Sequence, residues 1–439
     1  MNQVPALRPT SQLRARRPAR LWLALWLAIA AATGCDTSAS DVAARDNDEN
    51  RIYRLDYQVT VDPAAGGAWV ELQLQQPAHY LRELKMRSLA GRLSEFTADG
   101  ELSTNERGIV WKTPLKGGKL RWFARLDHRR RGGSYDAYIE ADWALFRGED
   151  IIPSALTRTL VGAESETRVS FTMPRGWSSV APYAGRGDSY LVENSSRRFA
   201  TPTGWIVLGK LGVRREIIDG VRVVVAGPVG QSFRRMDIVA LLHWTLPELT
   251  RLLPDFPKRL TIVGAGNPMW RGALSAPRSI FVHADRPLLS ENATSTIVHE
   301  AMHIGMGLAA MPGADWIVEG IAEFYSLEIL RRSGTISESR FRLAHRQLAK
   351  WGQDAANLCT SRSSGSGTAL AVSLLVGLDA EIREKSAGRA SLDDITRELA
   401  SAGEKVTVSD FRTIAERIAG SPLSSIKAGN LRGCGGDVA

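Results

Sequence analysis

The chain of 439 residues is 44% hydrophobic and 23% charged, which excludes a disordered or fibrous polymer and allows two to three domains of about 150 residues each. Its formal charge of +9 falls to +4 without residues 1–34, which hold five arginines and no acid. No nucleic-acid-binding motif accompanies this mild positive balance, which suits an anionic membrane surface instead.

Arg8, Arg14, Arg16, Arg17 and Arg20 precede an apolar run over 21–32, which ends in Ala31-Ala32-Thr33-Gly34-Cys35. A basic head, a short apolar core and small residues at a cleavage point predict a secretory signal peptide over 1–34. The run falls short of the roughly 20 residues that span a bilayer, although a short anchor or a buried helix is the other reading. Ala32-Thr33-Gly34-Cys35 resembles the lipobox of bacterial lipoproteins. The resemblance implies lipidation at Cys35 and a membrane tether that leaves the protein facing the periplasm. Asp36 resembles an inner-membrane retention signal, which implies the inner rather than the outer membrane of the bacterial cell envelope. Residues 35–50, rich in Asp, Ser, Ala and Asn, read as the solvated tether.

From 51 to 215 short alternating runs, such as Tyr53-Arg54-Leu55-Asp56-Tyr57 and Trp69-Val70-Glu71-Leu72, recur between glycine-rich turns. This pattern predicts a β-sandwich, with the tryptophans in its core rather than forming a sugar platform. The pattern changes near Val221. Residues 216–335 read as a mixed domain. A helix over 236–253 is closed by Pro254, and strands follow over 260–263 and 279–283. A helix over 291–308 comes next, then one over 316–332 with Asp315 as N-cap and Gly334 as stop. Residues 336–439 form a helical domain, with helices over 341–351, 367–385, 392–400 and 409–419. The fold class is therefore multidomain α+β. Cys359 and Cys434 are either a disulfide pair suited to an oxidising compartment or two buried thiols.

His299-Glu300-Ala301-Met302-His303 carries the chemistry. Histidines four apart on a helix point the same way and can bind one Zn²⁺, with Glu300 placed to take a proton from water. A catalytic zinc needs a third protein ligand. Glu319 follows after a spacer containing Met306-Gly307 and Pro312-Gly313, turns that let its helix fold back on the first. Glu323, four residues on, lies on the same helix face, where it can accept a hydrogen bond from a ligand imidazole.

His-Glu-x-x-His followed by Trp-x-x-Glu-Gly-x-x-Glu-Phe is similar to the gluzincin metallopeptidases, and most similar to the glycyl aminopeptidase family, relatives of the aminopeptidase N family. Trp270 to Ser275, Gly367 to Arg383 and Gly388 to Asp394 carry further likeness. The resemblance implies that the middle domain is a thermolysin-like zinc peptidase domain between the β-sandwich and the helical domain. It also shows two departures. The strand whose glutamate receives a substrate amino group in that superfamily reads Gly272-Ala273-Leu274-Ser275 here, without an acid. The tyrosine expected to stabilise the oxyanion is matched by Ser364, within a serine- and glycine-rich stretch read as flexible. His345, on the next predicted helix, is the candidate to replace that tyrosine, and His283 is a candidate for the cleft. His79, His128 and His243 have no ligand spacing.

These features predict a membrane-tethered zinc metallopeptidase acting on a peptide or protein substrate, with no nucleic-acid partner. The alternatives are a degenerate zinc peptidase that binds peptides or a partner protein, and a zinc hydrolase of non-peptide amides or esters.

Overall fold

The computed structural model describes residues 51–87, 91–193, 198–403 and 405–434. The expected signal, Cys35 and the tether lie outside these described residues.

The first part is built from alternation. In the strand Ile52–Asp62 the side chains of Tyr53, Leu55, Tyr57, Val59 and Val61 are buried, and those between them face outward. That strand is central in a seven-stranded sheet, antiparallel to Gly67–Gln75 (Tyr57 opposite Leu72) and parallel to Glu164–Thr172 (Val59 opposite Phe171). A four-stranded sheet contains Leu81–Arg87 and Gly108–Lys112, and a five-stranded sheet contains Trp143–Arg147 and Trp205–Gly209. Trp111, Trp122, Trp143 and Trp205 are each at most 2% exposed, which makes them core residues. A single helical turn, α1 (Gly148–Ile151), lies among these strands.

A second five-stranded sheet runs in the order Leu211–Ile218, Val221–Pro228, Arg259–Ala265, Ser279–His283, Ala273–Ala276. Its first strand crosses residue 215 and pairs wholly with Val221–Pro228. The three inner strands are parallel and read as near-continuous apolar runs because both faces are covered. One face, with Val223, Val225, Leu260 and Ile262, packs on the helices. The other, with Val224, Val263 and Phe281, packs on Trp143, Trp205 and Val207 of the preceding sheet. Ala273–Ala276 is the antiparallel edge strand, with Ser275 opposite Ile280.

The helices follow: α2 (Arg235–Leu252), α3 (Thr296–Met306), α4 (Asp315–Arg332), α5 (Glu338–Gly352), α6 (Ser366–Lys385), α7 (Leu392–Ala402) and α8 (Val408–Ala419). Two details differ from expectation. α3 starts at Thr296 rather than at 291, because Ser290 and Thr294 bond each other's backbone and hydroxyls and hold the chain in a turn. Asp315 is the first residue of α4 and not its N-cap, which is Ala314. The Asp315 carboxylate accepts instead from the backbone N–H of Ser363, at 2.5 Å. α4 runs through the middle of the helical layer. Gly320 lets it approach α6 so closely that a Cβ there would lie 2.8 Å from the Cβ of Ala371. Trp316, fully buried, meets the ring of Phe411 on α8 edge-on. Cys359 and Cys434 form a disulfide with a Cα–Cα distance of 5.1 Å. Among the described residues no helix is long and apolar enough to cross a membrane.

Candidate metal centre

α3 buries Ile297, Val298, Ala301 and Met302 against the core, which turns His299 and His303 toward α4. Gly307, at φ 60°, ends the helix in a left-handed cap whose N–H bonds the carbonyl of His303. The two imidazole Nε2 atoms are 3.1 Å apart. Glu319, from the facing helix, places Oε2 3.5 Å from His299 Nε2 and Oε1 3.6 Å from His303 Nε2. One ligand atom from each of the three residues lies within 4.8 Å of the other two. Glu323, one turn further along α4, accepts from His299 Nδ1 at 2.9 Å. That bond fixes the imidazole so that its Nε2 faces the cluster.

The electrostatics favour a cation at this point. Two nitrogen lone pairs cannot face each other at 3.1 Å, so a proton or a metal ion has to lie between them. Burial pulls the His299 pKa down, but hydrogen bonds to Glu319 and Glu323 outweigh it and hold the group up at about 10. Burial and the neighbouring positive His299 push His303 down. Burial would raise Glu319, but its bond to His299 and the charges of both histidines bring it below the usual carboxylate value. Two imidazoles and one carboxylate are a donor set suited to Zn²⁺, so these three residues could hold it.

The cluster opens on a cavity of about 850 Å³. Glu300, 8% exposed, lines it beside the histidines. Its Oε2 accepts from the backbone N–H of Ser275 on the edge strand, at 2.7 Å. This backbone donor has no residue-type signature, and sequence reading missed it. Trp351 on α5 and Leu274 on the edge strand supply apolar wall. Among the described residues no tyrosine lines the cavity, and Ser364 does.

The stretch read as flexible is tied down. Ser363 is held by Asp315, its hydroxyl lies 3.3 Å from that of Thr368, and α6 begins at Ser366. Arg362, in this stretch, lines the cavity and was not singled out from the sequence. His345 is not brought to the site. It does not line the cavity but packs against Phe341 and Phe324, with ring centroids 4.4 and 6.3 Å away, because its face of α5 turns toward those rings. His283 is also elsewhere, with a side chain shut off from solvent whose Nδ1 accepts from the backbone N–H of Asp285 at 3.2 Å.

The sequence matches no protein-family model and no curated protein. Solved structures do match. An aminopeptidase N family protein from Idiomarina loihiensis is 14% identical over 79% of this chain and 70% of its own, with a TM-score of 0.59. A two-domain M1 zinc metallopeptidase variant bound to L-arginine is 15% identical, covers 84% of this chain and 91% of its own, and scores 0.54. An M1 zinc metallopeptidase from Deinococcus radiodurans is 15% identical, covers 84% and 90%, and scores 0.51. The fold resembles that of the aminopeptidase N family. At such identity the likeness speaks for the mixed α and β architecture, and the chemistry has to be argued from this chain's own residues.

Proposed function

We propose that the protein is a zinc-dependent metallopeptidase, with His299, His303 and Glu319 as ligands and Glu300 as the general base. The observation that carries this reading is the convergence of two imidazoles and a carboxylate at the floor of an open cavity that Glu300 also lines. The likeness of the fold to zinc metallopeptidases supports it. Bound zinc supplies a Lewis acid that brings the pKa of water toward about 7 and polarises a carbonyl. The Ser275 N–H holds Glu300 Oε2, which leaves Oε1 to take the proton of the attacking water and return it to the leaving amine. Glu323 keeps His299 in the tautomer that presents Nε2. Glu300→Gln tests the assignment. The variant is expected to retain zinc and lose chelator-sensitive hydrolysis of a peptide library, and undiminished turnover overturns the role of Glu300.

A second reading is favoured by one observation, that among the described residues the cavity wall holds Ser364 and no tyrosine. A protein lacking that oxyanion donor binds peptides and cleaves them poorly, since one such donor is worth about 10²–10³ in rate. Wild-type protein that binds library peptides with no chelator-sensitive cleavage supports this alternative.

The proposal extends to location: a lipoprotein anchored through Cys35 to the bacterial inner membrane, facing the periplasm. Its support is the arginine-rich head and apolar run before Cys35, and the disulfide, which suits an oxidising compartment. Cys35→Ser is expected to release the protein into the soluble periplasmic fraction. Persistence in the membrane fraction counts against the anchor.

A further inference from the structure

We propose that Arg362 is a specificity residue of this cleft, one that binds a carboxylate of the substrate. The inference rests on the peptidase reading and adds a substrate class to it.

The charge inventory of the cavity carries the argument. Three carboxylates line it, and each is engaged: Glu300 by the Ser275 N–H, Glu319 between the imidazoles, and Glu323 by His299 Nδ1. Among the described residues that line the cavity, a substrate ammonium finds no other acid. Two arginines line the cavity as well. Arg278 is committed to Glu193, 2.5 Å away, and lies over the ring of Tyr183, 5.0 Å from its centroid. Arg362 differs. Among the described residues its guanidinium has no ion pair and no hydrogen-bond acceptor, and the residue is exposed and lines the cavity.

Its backbone is nevertheless fixed. The next residue, Ser363, is 5% exposed and donates to Asp315 at the start of α4, one turn before Glu319. The carbonyl of Arg362 accepts from Thr360 Oγ1 at 3.0 Å, and Cys359 is pinned by the disulfide. The backbone that carries the guanidinium is thus anchored on the wall of the cavity that Glu319 also lines. An unpaired guanidinium with a planar donor fork, carried on a fixed backbone, is suited to a bidentate bond with a carboxylate. The carboxylate is either the C-terminus of a short peptide or an acidic side chain beside the scissile bond.

The test is calorimetric binding to the full chain carrying Glu300→Gln, in zinc-loaded and metal-free forms. The probes are acetyl-Ala-Ala amide, acetyl-Ala-Ala free acid and acetyl-Glu-Ala amide. At least one carboxylate-bearing peptide is expected to bind about tenfold or more tightly than the neutral amide. Which of the two does so identifies the source of the carboxylate. The preference is expected to persist without metal, to vanish in Arg362→Ala and to survive in part in Arg362→Lys. Equal binding of the three peptides overturns the proposal, as does a preference that survives Arg362→Ala or one that requires the metal. A uniform loss of turnover in Arg362→Ala on the Glu300 background, without any binding preference, assigns the residue to the oxyanion and overturns it too. Chelator-sensitive cleavage that ignores substrate charge refutes this proposal while the peptidase reading stands. Charge-dependent binding without any cleavage refutes the peptidase reading alone.

Discussion

Glu323→Gln separates a metal centre from a chance cluster of histidines. The substitution keeps the size of the side chain and removes its charge. In the structure Glu323 Oε2 sits 2.9 Å from His299 Nδ1, and the two side chains are only 19% and 16% exposed, so solvent screens the bond little. Ser326 Oγ, 3.3 Å from the same oxygen, completes its acceptor shell. Loss of a carboxylate that orients a ligating imidazole lowers metal affinity by about 10–100-fold. The shielded geometry sets the expectation at about 30-fold, which corresponds to ~2 kcal/mol. The assay is competition for zinc against a chromophoric chelator, with circular dichroism to show that the fold is intact. Glu319→Gln, which removes a proposed ligand itself, is expected to lose more. Zinc affinity within about twofold of wild type in both variants refutes the reasoning, because neither carboxylate would then be coupled to the ion.

Two predictions concern stability. Asp393 on α7 accepts from Tyr325 Oη at 2.7 Å and from both terminal nitrogens of Arg332 at 2.8 and 2.9 Å, which ties α7 to α4. Burial would raise its pKa, but the bonds to Arg332 and Tyr325 bring it below the usual 3.8. Because the folded value is depressed, the contribution is fully present above pH 3.8 and fades as pH falls through the lower folded value. Asp393→Asn is expected to cost about 1.5–3 kcal/mol at neutral pH in urea unfolding, with the gap to wild type closing in acid. A gap that widens on acidification contradicts the assignment. Cys359→Ser removes a crosslink between residues 75 apart in sequence, which a chain-entropy argument values at ~4.5 kcal/mol as an upper figure. Guanidinium unfolding with and without reductant reads the difference, and identical midpoints count against a stabilising bridge.

Sequence reading succeeded where the information is local. Histidines at 299 and 303 share a helix face by geometry alone, and the glycines of the connecting segment allow Glu319 to return to them. It failed where a partner is remote or carries no residue-type signal. Asp315 reads as an N-cap, but its partner is Ser363, 48 residues away, and that bond also makes a serine-glycine stretch part of the cavity wall. The start of α3 was misplaced because hydrophobic spacing does not register the Ser290–Thr294 turn. His345 was drawn toward the site by its chemistry and its position in the chain, yet the side chain follows the rings of Phe324 and Phe341.

Arg362 and the acid-free edge strand Ala273–Ala276 line the same cavity. A free carboxylate on Ala273–Ala276 facing the same cavity would compete with a substrate carboxylate for the field of the unpartnered guanidinium. The edge strand presents the backbone N–H of Ser275, which donates to Glu300, and no acid to engage the guanidinium. Adding an acid therefore probes both features at once. Ser275→Glu is expected to reduce binding of carboxylate peptides as Arg362→Ala does, while Arg362→Ala combined with Ser275→Glu should turn the preference toward peptides with a free amino group. Kd values for acetylated and free-amine peptides decide the point, and a double variant with unchanged preference shows that the two positions do not address the same ligand.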